Sequence, residues 1–373
     1  MIETSRDRVP TFEAMPPPKT IIYGAGQMGS YYVKLLRESG FPADKLSIVD
    51  IEPGKAERLA GIHDVPDTRE ELAGIEAAIV ASSTPSHASI ILKLIDAGVR
   101  HILCEKPLAM DAGEVSRIRE AAEAHGARVY TAFVVEFSPT FRRLTELMSA
   151  ENLELSNLSG IWMKNRAASS ESRPSAGDLE DEMVHMLSFA LRLASQREIV
   201  SPISITADLV RSRYVGDAQA RAVIRDASFP PRPNSGTNAT IRLSTKGALS
   251  PLSMSLSSSF AGAVQRRLVW GELSGVGTNT PKYAFEISFD DRGKDILTIT
   301  ELSGNKTIVE EFSVNKLEEL VKAFMRATKD PKPDARLADT GWAGLISAAT
   351  DAMTSSDEQK APFNIPRKAV PEP

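Results

Sequence analysis

The residues best suited to chemistry are an aspartate, a histidine and a lysine. Asp181 and His185 stand four positions apart in a helical pattern, which predicts that both side chains share one helix face. Imidazole accepts a proton near neutral pH, as alcohol oxidation requires while hydride leaves the same carbon, and a nearby carboxylate can orient it. Lys106 ends a short apolar strand, where an ammonium can polarise a reacting oxygen. A surface i,i+4 pair and a solvated lysine are the simpler interpretations.

A glycine-rich turn earlier in the chain predicts a dinucleotide site. Gly24, Gly26 and Gly29 form G-x-G-x-x-G directly after a strand and at the start of a helix. The pattern permits a tight turn, close approach of a pyrophosphate and close packing of helix on strand. Asp50 ends the next strand, where a carboxylate accepts hydrogen bonds from both ribose hydroxyls and repels a 2′-phosphate. NAD is therefore favoured over NADP, and a glycine turn without a ligand is the alternative.

The elements that position these residues change character along the chain. Short apolar runs predict five strands, at 20–24, 45–50, 77–82, 101–105 and 128–134. Helices separate them, one of which is predicted to start at the D-x-x-E of Asp111 and Glu114, so the strands form a parallel sheet covered on both faces. After a strand at 159–165, alternating runs predict antiparallel strands. Further helices are predicted near 138–149, 178–194, 316–328 and 340–354.

These patterns predict an α/β protein, with an N-terminal Rossmann domain followed by an α/β domain that contains a largely antiparallel open sheet. The predicted division is a flexible arm at 1–19, the dinucleotide-binding domain at 20–140, a substrate-binding and oligomerisation domain at 141–360, and a tail at 361–373.

Composition narrows the class of protein. A formal net charge of −5 over 373 residues argues against general binding to nucleic acid or anionic membranes, which need a basic surface. The single cysteine, Cys104, excludes disulfide frameworks and fits a reducing compartment. No secretory signal or membrane-spanning run is recognised, and no residue cluster has metal-ligand spacing. We therefore expect a soluble cytoplasmic protein without a metal.

Several short motifs occur in a recognisable order. G-x-G-x-M-G is followed by TPSH at 84–87, AG at 97–98 and EKPLA at 105–109, and GDLEDEMVH spans 177–185. Together they resemble the glucose–fructose oxidoreductase, inositol dehydrogenase and rhizopine catabolism (Gfo/Idh/MocA) family. The resemblance is clear over about residues 20–190 and extends without motifs to about residue 355.

The resemblance implies roles for particular residues. It assigns catalysis to Lys106, Asp181 and His185. It implies cofactor contacts from Gly24, Gly26, Gln27, Met28, Gly29, Asp50, Ser83, Thr84, Pro85, His87, Glu105 and Lys106. A role at the start of a helix is the alternative for His87. The resemblance also implies a cis Lys106–Pro107 bond and a homodimer or homotetramer assembled through the C-terminal sheet.

The chain departs from the family pattern in places that bear on the substrate. Residues 132–137 read AFVVEF where the family often has a polar pair, and Met183 replaces a common glycine. Glu136 is predicted either to contact a cationic substrate or to be a surface carboxylate. Arg166 and Arg173 flank a serine-rich loop and are predicted either to clamp a phosphate or nucleotide-sugar anion or to be solvated. The predicted substrate contacts are Lys106, Glu136, Arg166, Arg173, Asp181 and His185.

The resemblance and the residues together predict an NAD(P)-dependent oxidoreductase. Its substrate is predicted to be a secondary alcohol, or the matching ketone, of a sugar, cyclitol or phospho- or nucleotide-sugar derivative. Two alternatives remain open at this point. One is an NAD-dependent glycosidase that works by transient oxidation, and the other is a non-catalytic dinucleotide-sensing regulator.

Overall fold

Two β-sheets form the framework of the computed structural model, which describes residues 17–66, 68, 70–165, 177–210, 236–291, 293–367 and 371. The strands are β1 (Thr20–Tyr23), β2 (Leu46–Val49), β3 (Ala77–Val80), β4 (His101–Cys104), β5 (Arg128–Thr131), β6 (Leu153–Asn165), β7 (Ile203–Val210), β8 (Gly236–Leu243), β9 (Leu252–Ser259), β10 (Ala261–Gly275), β11 (Pro281–Asp291), β12 (Lys294–Glu301), β13 (Lys306–Ser313), β14 (Ala338–Asp339) and β15 (Phe363–Ile365). The α-helices are α1 (Gln27–Glu38), α2 (Lys55–His63), α3 (Thr84–Asp96), α4 (Ala112–His125), α5 (Pro139–Ala150), α6 (Val184–Ala194), α7 (Lys316–Ala327) and α8 (Thr340–Gln359).

The first sheet has the strand order β14-β5-β4-β3-β1-β2, and β1 to β5 are parallel. Its strands are almost entirely buried, as expected for short apolar strands with helices on both faces. The strand order reverses between β1 and β3, and ligands of such sheets bind in the crevice at the carboxyl ends of these strands. The glycine turn and Lys106 both lie at this edge.

The second sheet has nine strands in the order β13-β12-β11-β10-β6-β9-β8-β7-β15. All of its neighbouring strands are antiparallel except β6 and β9. Helices α5, α6 and α8 pack on this sheet, and their apolar faces join its inner residues in one core. The predicted fold class, a Rossmann domain with a largely antiparallel second sheet, is confirmed.

The chain returns to the first sheet after completing most of the second. Residues of α7, including Leu320 and Phe324, belong to the apolar core around Ile22 and Ala77 of the first sheet. Strand β14 pairs antiparallel with β5 and extends that sheet by one strand. From the sequence, these elements were expected in the second domain, because nothing local in them shows which core they join. Among the described residues, no helix is long and apolar enough to cross a membrane.

Candidate active site

The glycine turn has the geometry expected of a phosphate-binding loop. Gly24 has φ of 98°, and a Cβ there would lie 2.6 Å from the Ala81 carbonyl oxygen. A Cβ at Gly29 would lie 1.8 Å from the carbonyl oxygen of Gly24, so only glycine permits this helix–strand packing. A Cβ at Gly26 would meet no heavy atom of the described residues within 4 Å. The open space at Gly26, at the N-terminus of α1, fits a pyrophosphate.

Asp50 stabilises the glycine loop as well as occupying the expected ribose position. One carboxylate oxygen accepts a hydrogen bond from the Ala25 N–H at 2.6 Å and the other from the Glu52 N–H at 2.8 Å. Each oxygen retains a second lone pair, and the side chain is only partly buried. The carboxylate can therefore hold the loop and still accept ribose hydroxyls.

Lys106 joins the two sheets at the crevice. Its peptide bond with Pro107 is cis, as the resemblance implied. Its Nζ donates to the backbone carbonyl oxygen of Asp181 at 2.5 Å, across 75 positions of sequence. The structure therefore brings Lys106 and Asp181 together, and the main-chain carbonyl of the aspartate accepts the bond.

A buried tyrosine connects the cofactor helix to the lysine loop. The hydroxyl of Tyr32, on α1, donates to one carboxylate oxygen of Glu105 at 2.7 Å. The Lys106 N–H lies 3.3 Å from the other Glu105 oxygen. Burial, and then the Glu105 charge, raise the pKa of Tyr32 well above its usual range, so the phenol stays a donor. Through these two hydrogen bonds, Glu105 orients the loop that carries Lys106.

His87 connects the loops that follow β3 and β4. Its Nδ1 lies 2.9 Å from the Pro107 carbonyl oxygen and its Nε2 lies 3.1 Å from the Ser82 carbonyl oxygen. The side chain is 1% exposed, and burial lowers its pKa. These contacts make His87 a bridge between the loops, which position Lys106.

Asp181 and His185 belong to a helix with an irregular start. Leu179–Met183 form one π-helical turn, which continues into α6 at Val184. Single π-turns occur often at functional sites because they displace side chains from regular helical positions. The His185 ring stacks on Trp162 of β6, with ring centroids 6.0 Å apart and an angle of 26°.

The environment of His185 favours its neutral form. Burial has the largest effect and lowers the pKa well below the usual range, and the charges of Lys106 and Arg267 lower it further. Nδ1 is buried and has no hydrogen-bond partner among the described residues. The imidazole is therefore unprotonated at neutral pH and can accept a proton.

Glu136 lies in the protein interior, away from solvent. Its side chain is 0% exposed, and its two oxygens accept hydrogen bonds from Ser188 Oγ and from Arg192 Nε, the latter at 3.0 Å. Trp342 donates to the same serine, and the Arg192 guanidinium lies 3.9 Å from the Trp342 ring centroid. The expectation of a surface carboxylate is wrong, because α6 brings an arginine that pairs with it. The structure does not bring Glu136 to the crevice.

The remaining predicted cofactor residues lie at the starts of α1 and α3. Gln27 is exposed at the start of α1, and Met28 packs on the core of the first sheet. Ser83 is the N-cap residue of α3, and Thr84 and Pro85 form its first turn, all at the carboxyl end of β3. Arg166 and Arg173 lie outside the residues that the structure describes.

Sequence reasoning missed several residues that contribute to this site. Trp162 and Lys164 stand two positions apart in β6, and this spacing was the only local signal that they share a face. Arg267 lies directly opposite Trp162 on β10, and Tyr32 approaches from α1. These partners lie far apart in sequence, so only the tertiary structure identifies them.

The N-terminal part of the chain matches a known family. Residues 19–133 match the family model described as the oxidoreductase family with an NAD-binding Rossmann fold. The earlier resemblance is therefore confirmed, and the matched region contains the glycine loop, Asp50, His87 and Lys106. Asp181 and His185 lie beyond it.

Curated relatives and solved structures extend the comparison. The chain is 29% identical over 186 residues to an inositol 2-dehydrogenase of Saccharopolyspora erythraea, covering 48% of this chain and 54% of the relative. It is 35% identical over 128 residues to a myo-inositol dehydrogenase of Streptomyces leeuwenhoekii, covering 33% and 38%. The alignments thus span about half or less of these relatives. The structure of UDP-N-acetylglucosamine 3-dehydrogenase from Acidithiobacillus ferrooxidans has a TM-score of 0.71 at 16% identity, covering 92% and 99%, which shows a shared fold.

Proposed function

We propose that this chain, whose residues 19–133 match the Gfo/Idh/MocA oxidoreductase family model, is an NAD-dependent dehydrogenase. Its substrate is a secondary alcohol, or the matching ketone, of a sugar, cyclitol or sugar derivative. The observation that carries this proposal is the contact of Lys106 Nζ with Asp181 at the mouth of the dinucleotide crevice, beside a neutral His185. The names of the inositol dehydrogenase relatives support a polyol substrate.

The cofactor proposal rests on the glycine loop and Asp50. Bound NAD supplies the hydride acceptor for alcohol oxidation. The open approach at Gly26 and the N–H groups at the start of α1 hold a pyrophosphate, and the Asp50 carboxylate holds the ribose. The same carboxylate repels a 2′-phosphate, which supports NAD over NADP.

The three catalytic residues have separate roles toward the substrate hydroxyl groups. His185 is neutral at pH 7 and accepts the hydroxyl proton at an imidazole nitrogen. The Lys106 ammonium stabilises the developing negative charge on the oxygen, and its bond to the Asp181 carbonyl holds it in position. The Asp181 carboxylate then accepts a hydrogen bond from a neighbouring substrate hydroxyl.

The direct test measures absorbance at about 340 nm with sugars, inositols and sugar phosphates, using NAD and NADP in parallel. We expect NADH formation, kcat/KM for NAD at least ~10-fold above that for NADP, and a loss of kcat of ~100- to 1,000-fold in Lys106→Met. NADH binding, followed by fluorescence, should stay within about threefold, since a mutated catalytic group leaves the dinucleotide loop intact. Lys34→Met, an exposed lysine on α1, is the matched control.

Two outcomes would contradict this function. If no polyol or sugar derivative produces NADH, or if Lys106→Met keeps more than about a tenth of kcat, the dehydrogenase proposal fails. Stoichiometric NADH release separates it from a glycosidase that oxidises its substrate transiently. Loss of turnover with retained NADH binding separates it from a dinucleotide sensor.

We also propose that the chain assembles as a homodimer or homotetramer through the second sheet. Helices α5, α6 and α8 cover one face of that sheet, while Trp270 and Val309 are 37% and 60% exposed. Exposed apolar residues on a broad sheet face favour burial against another copy. Light scattering coupled to size-exclusion chromatography tests this, and a monomer at micromolar concentration would contradict it.

A further inference from the structure

A cluster of cationic side chains surrounds the Trp162–His185 stack. Side chains alternate between the two faces of a strand, so Trp162 and Lys164 of β6 share one face. In β10, Arg267 lies directly opposite Trp162, which places its side chain on that face too. Its guanidinium carbon lies 5.4 Å from the Trp162 ring centroid.

Each of these cations lies close enough to His185 to act on it. Lys106, Arg267 and Lys164 all lower the pKa of this histidine through their charges, after the larger effect of burial. Lys106 reaches the site from the first sheet, whereas Arg267 and Lys164 come from two neighbouring strands of the second. Three cations from separate elements therefore converge around one imidazole.

Two carboxylates face this cluster. Glu182 accepts a hydrogen bond from Trp162 Nε1 at 3.0 Å, and its other oxygen lies 3.3 Å from Lys164 Nζ. Asp181 belongs to the same π-helical turn and raises the pKa of His185. These groups offset part of the positive charge of the cluster.

The other two acidic residues of this segment point elsewhere. Asp178 accepts a hydrogen bond from Ser258 of β9, at 2.5 Å, and burial raises its pKa to about 7. Glu180 lines a different cleft, together with Pro107 and Asp351, and burial raises its pKa to about 8. The charged groups around the stack therefore include the three cations and the carboxylates of Glu182 and Asp181.

We propose that the substrate carries an anionic group, a carboxylate or a phosphate, that binds at Arg267 and Lys164 while its reacting hydroxyl lies at Lys106 and His185. Arginine presents a planar fork of N–H donors that matches carboxylate and phosphate oxygens. The partly exposed Arg267 and Lys164 side chains leave the cluster accessible to a ligand. This inference rests on the proposed dehydrogenase function and narrows its substrates to acidic or phosphorylated sugars and cyclitols.

The test compares substrates that differ only in the anionic group. D-glucuronate and D-glucose 6-phosphate are each paired with D-glucose, in the presence of NAD. We expect kcat/KM at least ~10-fold higher for an anionic member than for D-glucose. The two anionic compounds distinguish a carboxylate from a phosphate as the preferred group.

Variants of neighbouring arginines separate recognition from folding. Arg267→Met should lower kcat/KM for the anionic compound by at least ~10-fold more than it lowers kcat/KM for D-glucose. Arg267→Lys should recover part of the loss because it restores the charge. Arg266 is exposed, and by strand alternation it points to the opposite face, so Arg266→Met is the matched control.

Each of the remaining outcomes either supports or overturns the anion site. Equal or better use of D-glucose, or an equal loss for both substrate types in Arg267→Met, overturns the anion site. If neither substrate type yields NADH, the dehydrogenase proposal fails, and calorimetric titration of the chain with D-glucose 6-phosphate and D-glucuronate decides the anion site separately. Binding that disappears in Arg267→Met supports the site, and absence of binding overturns it.

Discussion

Replacing Arg192 by methionine is expected to destabilise the protein severely, because it leaves the Glu136 carboxylate buried without its cation. The carboxylate is 0% exposed, and the Arg192 Nε lies 3.0 Å from it. Removing one partner of a buried ion pair costs about 3–5 kcal/mol. Loss of the guanidinium from the Trp342 ring, 3.9 Å away, adds about 1 kcal/mol.

The free energy of unfolding of Arg192→Met should therefore fall by about 4–6 kcal/mol, a large part of the ~5–15 kcal/mol typical of proteins. At about 2–4 °C per kcal/mol for a domain of ~200 residues, the Tm should fall by roughly 10–20 °C. Adding Glu136→Gln should recover at least ~2 kcal/mol, because the amide keeps the shape and can still accept a bond from Ser188.

The stability lost in Arg192→Met should depend on pH, because the buried Glu136 carboxyl group can bind a proton. Burial, the largest effect, already raises the pKa of Glu136, and Arg192 opposes that rise. Without the arginine the folded-state pKa rises further above the unfolded value. The folded variant then binds the proton more tightly, so its stability increases as pH falls through that pKa. The deficit of Arg192→Met should be larger at about pH 8 than at about pH 5.5.

Chemical denaturation of the two single variants and the double variant measures these energies and their coupling. Arg142→Met is the matched control, because Arg142 forms an exposed pair with Glu146 at 3.7 Å and should change stability by less than about 0.5 kcal/mol. A coupling energy below about 0.5 kcal/mol would refute the reasoning. So would a Glu136→Gln variant of unchanged stability whose KM for substrate rises ~10-fold, since that pattern indicates substrate binding.

Three further predictions concern the candidate site. Gly29→Ala would place a methyl group 1.8 Å from the Gly24 carbonyl oxygen, so NADH affinity should fall at least ~10-fold by fluorescence titration, and unchanged affinity would contradict this packing. Burial and neighbouring cations lower the pKa of His185, so kcat/KM for oxidation should stay constant from about pH 8 to about pH 6.5, and a fall with decreasing pH that is centred within that range would refute the assignment. His87→Phe removes the bond to the Pro107 carbonyl, so kcat should fall ~10-fold with KM for NAD within about threefold, whereas an increase confined to KM for NAD would indicate a direct cofactor contact.

Sequence reasoning succeeded where the cause of a structure lies within a few residues. The five parallel strands were predicted to within a few positions, since continuous apolar runs require burial on both faces. The Asp111 side chain caps α4 by accepting from the Glu114 N–H at 2.8 Å, as the D-x-x-E spacing predicted. The geometry of Gly24 and Gly29 likewise follows from local requirements of a turn before a helix.

The candidate site itself was predicted in part. The structure brings together Lys106 and Asp181, to which the resemblance assigns catalysis, although the bond uses a main-chain oxygen that residue types do not reveal. The sequence offered a substrate contact or a surface position for Glu136 and not the buried ion pair, because its partner Arg192 stands 56 positions away on a helix whose packing no local pattern specifies.

By itself, the sequence determined the elements, the glycine loop, and which residue types stand at the strand ends. These follow from backbone conformation and periodic burial, which act over a few residues. The tertiary structure decided that α7 joins the first core, that Arg267 faces Trp162, and that the charges of Lys106, Arg267 and Lys164 act on His185. Strand order and register set those contacts, and both depend on packing between segments far apart in sequence.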